Sequence, residues 1–128
     1  MAKATQLTVS VENRPGTMAH VARVLGDAKV DIRAFLTSSA GSAGSVEVVV
    51  DNVNKAKKAL DREGLLYTEQ AVLHVELPNK PGALGYFAGK LAAKGININC
   101  GYATTAKGSK KAGIVLAVSD LEAAARIH

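Results

Sequence analysis

Two short segments hold the residue types and spacing from which chemistry can be read: Asn13-Arg14-Pro15-Gly16 and Asn79-Lys80-Pro81-Gly82. An Asn amide both donates and accepts hydrogen bonds. Proline fixes φ, and glycine admits the left-handed backbone and close approach of another group. The remaining reactive side chains form no comparable set. His20, His74 and His128 share no metal-ligand spacing. His74 and Glu76 lie on one strand face, but two groups make an incomplete site. No nucleophile elbow, P-loop or dinucleotide fingerprint occurs. No catalytic residue, metal or cofactor is therefore expected.

The segments recur at 81 − 15 = 66 residues, about half of the 128-residue chain, so the chain is an internal duplication. Each is preceded by a period-2 strand: Leu7, Val9 and Val11 alternate with Thr8 and Ser10, and Leu73, Val75 and Leu77 with His74 and Glu76. Each is followed by an amphipathic helix, with Met18, Val21, Ala22 and Leu25 on one face, and Leu84, Phe87, Ala88 and Leu91 in the second copy. Gly95 is a C-cap for the second of these helices. Lys29 holds its place in the first, where a cruder end is expected.

Second strands are expected near Val30–Ser38 and Ile96–Ala103. Connections follow at Ser38–Ser45 and Ala106–Lys111, and third strands at Val46–Val50 and Ala112–Val118. Short helices follow at Asn54–Glu63 and Leu121–Ile127, the latter with Asp120 as N-cap. A strand at Leu65–Glu69 ends the first copy. The order is β-α-β-β-α-β, the ferredoxin-like arrangement with both helices on one face of an antiparallel sheet. The second copy has no residues left for its last strand, so an open edge is expected beside Val72–Leu77. The units are 1–70 and 71–128, each near the lower size limit for independent folding.

The turn, the amphipathic helix and Val30-Asp31-Ile32 together resemble the ACT domain. Asn79-Lys80-Pro81-Gly82-Ala83-Leu84, then Lys94-Gly95-Ile96-Asn97-Ile98, resembles it more closely, and Val115–Ile127 looks like the family's third strand and second helix. The resemblance covers nearly the whole chain as two tandem units. It implies a non-catalytic regulatory protein that binds a small molecule, most often an amino acid, where the turn of one unit meets the second strand of a facing unit. Carried over by position, the ligand contacts are Asn79, Pro81, Gly82, Ala83, Leu84, Asn97 and Ile98. Their first-copy counterparts are Asn13, Gly16, Thr17, Met18 and Asp31. The chemistry suits a zwitterion: backbone N–H groups at a glycine turn entering a helix take a carboxylate, and an amide serves either end. Asp31 would accept an ammonium group and repel a carboxylate, so Asn79 with Asn97 is the better match to the family pattern. Met18 and Leu84 are core residues first and pocket lining second.

The resemblance also implies a homodimer or higher homo-oligomer and a regulated enzyme acted on in trans. Phe35 and Val49 are expected on the helix-free face, which with the open edge suggests a pairing surface. Cys100 is expected on the apolar side with Ile98, as a small core residue. With one cysteine no intrachain disulfide can form, and no long apolar span or leader is seen, so a cytoplasmic location is expected, with no membrane contact. The net charge of +5 is uneven. From Ala71 onward seven basic residues face three acidic ones, and Lys107, Lys110 and Lys111 cluster in one connection. That cluster reads as a solvated loop or as a polyanion contact. An RNA-recognition module would share the topology, but the central strands carry no aromatic residue on which bases could stack, so no nucleic-acid partner is expected. A ligand-free protein-interaction module is the other alternative.

Overall fold

The computed structural model describes residues 3–127. The element order is β1 (Lys3–Glu12), α1 (Thr17–Asp27), β2 (Ile32–Ala40), β3 (Ala43–Val50), α2 (Val53–Arg62), β4 (Tyr67–Pro78), α3 (Ala83–Ala93), β5 (Ile98–Thr104), β6 (Lys111–Val118) and α4 (Leu121–Ala125). The chain divides into two compact units, one of residues 5–70 and one of residues 71–128 together with the start of β1.

In the first unit the strand order is β2-β3-β1-β4, with β4 represented by its first residues. Ser10 N donates to Leu66 O at 2.9 Å. The alternation of β1 turns Leu7 and Val9 inward. There they meet Val46, Val48 and Val50 of β3, Val21 and Leu25 of α1, and Ala56 and Leu60 of α2. The second unit repeats the plan. Leu73 and Val75 pack with Ile114 and Leu116, Phe87 and Leu91 of α3, and Ala124 of α4.

The open edge expected beside the second unit's first strand is taken up at its start by β1. β1 begins at Lys3, earlier than its alternation requires, and neighbours β4. Lys3 and Ala4 belong to the second unit, and the Lys3 ammonium pairs with Glu122 of α4. The start of β1 thus stands in the place of a fourth strand, and Lys3 and Ala4 divide with the second unit rather than the first. The final strand of copy one and the first of copy two are likewise one strand, β4, because no turn residue interrupts 67–78.

The second strands start later than expected because Val30 and Ile96 complete helix ends. Val30 N donates to Leu25 O and Ile96 N to Leu91 O, each at 3.0 Å, with Lys29 N to Gly26 O and Gly95 N to Ala92 O beneath them. These are Schellman motifs, which need a left-handed residue. Gly95 supplies it at φ 71°, and Lys29 adopts it at φ 63°. The first helix therefore ends as cleanly as the second, at the cost of a Cβ in the left-handed region.

Both second strands also contain an irregularity that periodicity does not report. The register slips between Ile32 and Ala34 and again between Ile98 and Cys100. One extra residue moves every later side chain to the other face. Phe35 therefore stands opposite Val48 on the helix side, 52% exposed, while Ala34 joins Val49 on the helix-free face. Cys100 stands opposite Ala117, away from Ile98 and the core. One premise for a pairing surface, an apolar Phe35 on the helix-free face, thus falls.

Candidate functional site

At the first turn, β1 ends at Glu12. Asn13 N donates to Ser42 O, and Asn13 Nδ2 to Gly41 O, each at 2.9 Å. The Asn13 side chain therefore anchors the turn to the β2–β3 connection. Gly16 precedes α1 at φ 91°, where a Cβ would be strained, and no side chain caps the helix. Thr17 Oγ1 donates to Arg14 O at 3.2 Å. Arg14 Nε donates to Glu12 Oε2 at 2.9 Å, so an anion and a cation sit side by side at the surface. Beside them opens a cavity of about 500 Å³, lined by Glu12, Arg14, Gly16, Thr17, His20 and Leu65 among others. Met18 packs against the core as expected.

The second turn repeats the backbone but not the chemistry. Gly82 has φ 89° and α3 again has no side-chain cap. Asn79 N donates to Lys110 O, and Asn79 Nδ2 to Ser109 O, each at 2.9 Å, with Ala106 O at 3.5 Å. The amide nitrogen of Asn79 is thus spent on the β5–β6 connection, leaving its oxygen for any ligand. At the 66-residue spacing Pro78 replaces Glu12, Lys80 replaces Arg14, Ala83 replaces Thr17 and Tyr86 replaces His20. Lys90 lies 4.5 Å over the Tyr86 ring. Leu84, expected in the core, is 54% exposed, because the buried stripe of α3 centres on Phe87 and Leu91 and leaves Leu84 at its margin.

The residues expected to face these turns lie elsewhere. Asp31 N donates to Asp51 Oδ1 at 2.9 Å, Asp51 N returns to Asp31 O at 3.1 Å, and Arg33 Nε lies 3.8 Å from Asp31 Oδ2. Asn97 repeats the arrangement with Ser119, and its Nδ2 donates to Asn99 Oδ1 at 2.8 Å. Ile98 beside it is 36% exposed. Glu12 pairs with Ala43 at one end of β3, whereas Ile32 pairs with Val50 at the other. Gly16 and Asp31 therefore occupy opposite ends of their unit, as Gly82 and Asn97 do of theirs. No single unit brings turn and facing residue together.

Two side chains of consequence were absent from the sequence reading. Glu12 carries the acidic half of the first turn, and the signal was Pro78 at the equivalent place. Glu47 is buried on the helix-free face. Its Oε1 accepts from Ser45 Oγ at 2.6 Å, and its Oε2 has no partner among the described residues. Among those residues no cluster of His, Cys, Asp or Glu could hold a metal ion, and no helix is long and apolar enough to cross a membrane.

Residues 5–62 match the model of the ACT domain family. No curated protein matches the chain. The crystal structure of a Bacteroides thetaiotaomicron protein is similar at 27% identity, over 96% of this chain and 84% of that one, with a TM-score of 0.89. The ligand-free regulatory subunit of aspartate kinase from Thermus thermophilus shares 18% identity over 97% of this chain and 88% of its own, with a TM-score of 0.72. The corresponding subunit from Thermus flavus gives 18%, the same coverages and 0.64. These likenesses extend the tandem ferredoxin-like arrangement across the chain.

Proposed function

From a chain whose residues 5–62 match the ACT-domain model, we propose a regulatory protein that binds an amino acid at the Asn13–Gly16 turn. The observation that carries this reading is the cavity of about 500 Å³ bordered by Glu12 and Arg14, which together present both charges a zwitterion needs. The ligand carboxylate takes Arg14 and the first N–H groups of α1, where the helix dipole favours an anion. Its ammonium group takes Glu12. Thr17 offers a hydroxyl, and Val21 and Leu65 an apolar wall for the side chain. The ligand exchanges with the Arg14–Glu12 pair, so neither charge is left without a partner. The second turn lacks the acidic partner, the threonine and the histidine, which favours the first unit over Asn79 with Asn97 in this reading. The similar aspartate kinase subunits are regulatory, which is consistent with a regulatory role here. A ligand that also reached Asp31 would bridge two units, and a second copy of the chain could supply the facing one.

The test is a thermal-shift screen across the amino acids, followed by calorimetry on variants. One amino acid should raise the melting temperature. Glu12→Gln should weaken it by about tenfold to a hundredfold, the cost of losing a hydrogen bond to a charged group. Asn79→Ala should bind like the parent. A ligand lost in Asn79→Ala and kept in Glu12→Gln would move the site to the second unit. No shift with any amino acid would remove the ligand reading. Light scattering with and without the ligand tests whether a second copy is recruited.

A further inference from the structure

Four lysines converge at one end of the second unit. Lys80 lies in the turn before α3, and Lys107, Lys110 and Lys111 lie in or beside the β5–β6 connection. The two segments are tied together: Pro78 pairs with Lys111 in the β4–β6 ladder, and Asn79 N donates to Lys110 O at 2.9 Å. All four side chains are exposed, and none forms an ion pair among the described residues. The acidic residues of this unit are Glu76, Asp120 and Glu122. Asp120 and Glu122 follow β6 at the opposite end, and Glu122 is held by Lys3. Only Glu76 lies towards the lysine end, paired with Gly113 on the helix-free face.

Four carbonyls of these segments are engaged within the unit. Ser109 O and Ala106 O accept from Asn79 Nδ2, Lys110 O accepts from Asn79 N, and Lys111 O accepts from Ser109 Oγ at 2.8 Å. The first unit has nothing similar. Its connection is the neutral Gly41-Ser42, and Arg14 is neutralised by Glu12.

We propose that the lysine end of the second unit docks on the phosphate backbone of a duplex nucleic acid. The connection at 105–110 carries lysine, threonine, serine and glycine and no large apolar side chain. Lysine, hydroxyl and backbone N–H groups are the usual contacts to phosphate. The shape also fits, because the tip of a two-stranded ribbon enters a major groove. The missing aromatics on the central strands exclude base stacking, which concerns single strands, and leave backbone contact untouched. Each lysine that neutralises a phosphate releases counterions, so binding depends steeply on salt.

The test is fluorescence anisotropy of the whole chain with a labelled DNA duplex of about 20 base pairs, from about 50 to 200 mM salt. Dissociation constants should fall in the nonspecific range of roughly 10⁻⁴ to 10⁻⁶ M, with a logarithmic salt slope of about −3 to −4 for four contacts. Lys107→Ala/Lys110→Ala should lower that slope by about 2 and weaken binding about tenfold at low salt. Lys58→Ala, at an exposed position of the first unit, should change neither. Circular dichroism checks that the variants keep the fold. No binding at the lowest salt, or a slope unchanged in the double variant, would overturn the proposal. So would tighter binding of poly-glutamate than of the duplex at equal charge and salt, which would assign the surface to an acidic protein.

Discussion

The first unit buries Gln6 and Glu47 on its helix-free face, and the second buries Val72 and Val115. The pairs are equivalent. Gln6 and Val72 are 72 − 6 = 66 apart, while Glu47 and Val115 are 115 − 47 = 68 apart because the second connection is two residues longer. The helix sides, in contrast, keep the same character: Val46, Val48 and Val50 correspond to Ile114, Leu116 and Val118. The backbone plan is set by the side that meets the helices, where apolar burial supplies most of the stabilisation. The other face was free to diverge, and one copy now carries a buried carboxylate that the other does without.

Making the second face resemble the first should have the largest effect. Val72 is fully buried, and Val72→Gln places an amide at a position that now holds only an apolar side chain. The expected loss is about 3 kcal/mol, read from urea denaturation. A loss well under about 1 kcal/mol would mean that the two faces tolerate polarity equally and that the contrast is superficial. The reverse exchange is milder. Glu47→Leu removes an oxygen without a partner along with the bond from Ser45, and should raise stability by about 1 kcal/mol. A drop instead would show that Glu47 is held by a group it needs, and the carboxylate would then have to be counted as a site.

The smallest effect concerns the helix ends. Lys29→Gly should stabilise the first unit by roughly 0.5–1 kcal/mol, since relief of left-handed strain exceeds the extra freedom glycine gives the unfolded chain. Gly95→Lys should cost about the same in the second unit, and thermal denaturation of both variants compares them directly. Equal and opposite shifts would establish that the two C-termini are energetically one motif.

Much of this was legible in the amino-acid sequence because local rules and packing agree there. The alternation of Leu7 and Val9, the stripe of Val21 and Leu25, and Asp120 as an N-cap that accepts from Ala123 N at 3.0 Å each follow from a single period or a single cap. Phe35 and Cys100 were placed on the wrong faces because alternation assumes an unbroken ladder, and one bulged residue in each strand reverses it. The left-handed Lys29 escaped because tertiary fit overrode its own preference. The turns themselves were visible through their repetition. That the amide nitrogens of Asn13 and Asn79 anchor the adjoining connections was not, because the partners are carbonyls 28 and 30 positions away. The exchange of Glu12 for Pro78 is what separates the two turns chemically, and it becomes visible only when the copies are aligned position by position.

The start of β1 has a consequence for how the chain acquires its structure. Lys3 and Glu122 are 119 positions apart, yet they belong to the same compact unit. Closing so long a loop adds little to the equilibrium cost, which grows only with the logarithm of length. Its effect on the rate is larger, because contacts between distant positions form late and slow the search for the folded state. The first unit can gather its core from residues 5–70 alone while synthesis continues. The second must wait for its own last helix and then recover a strand segment made long before. The order of assembly is thus written into the position of a few residues at the beginning of β1.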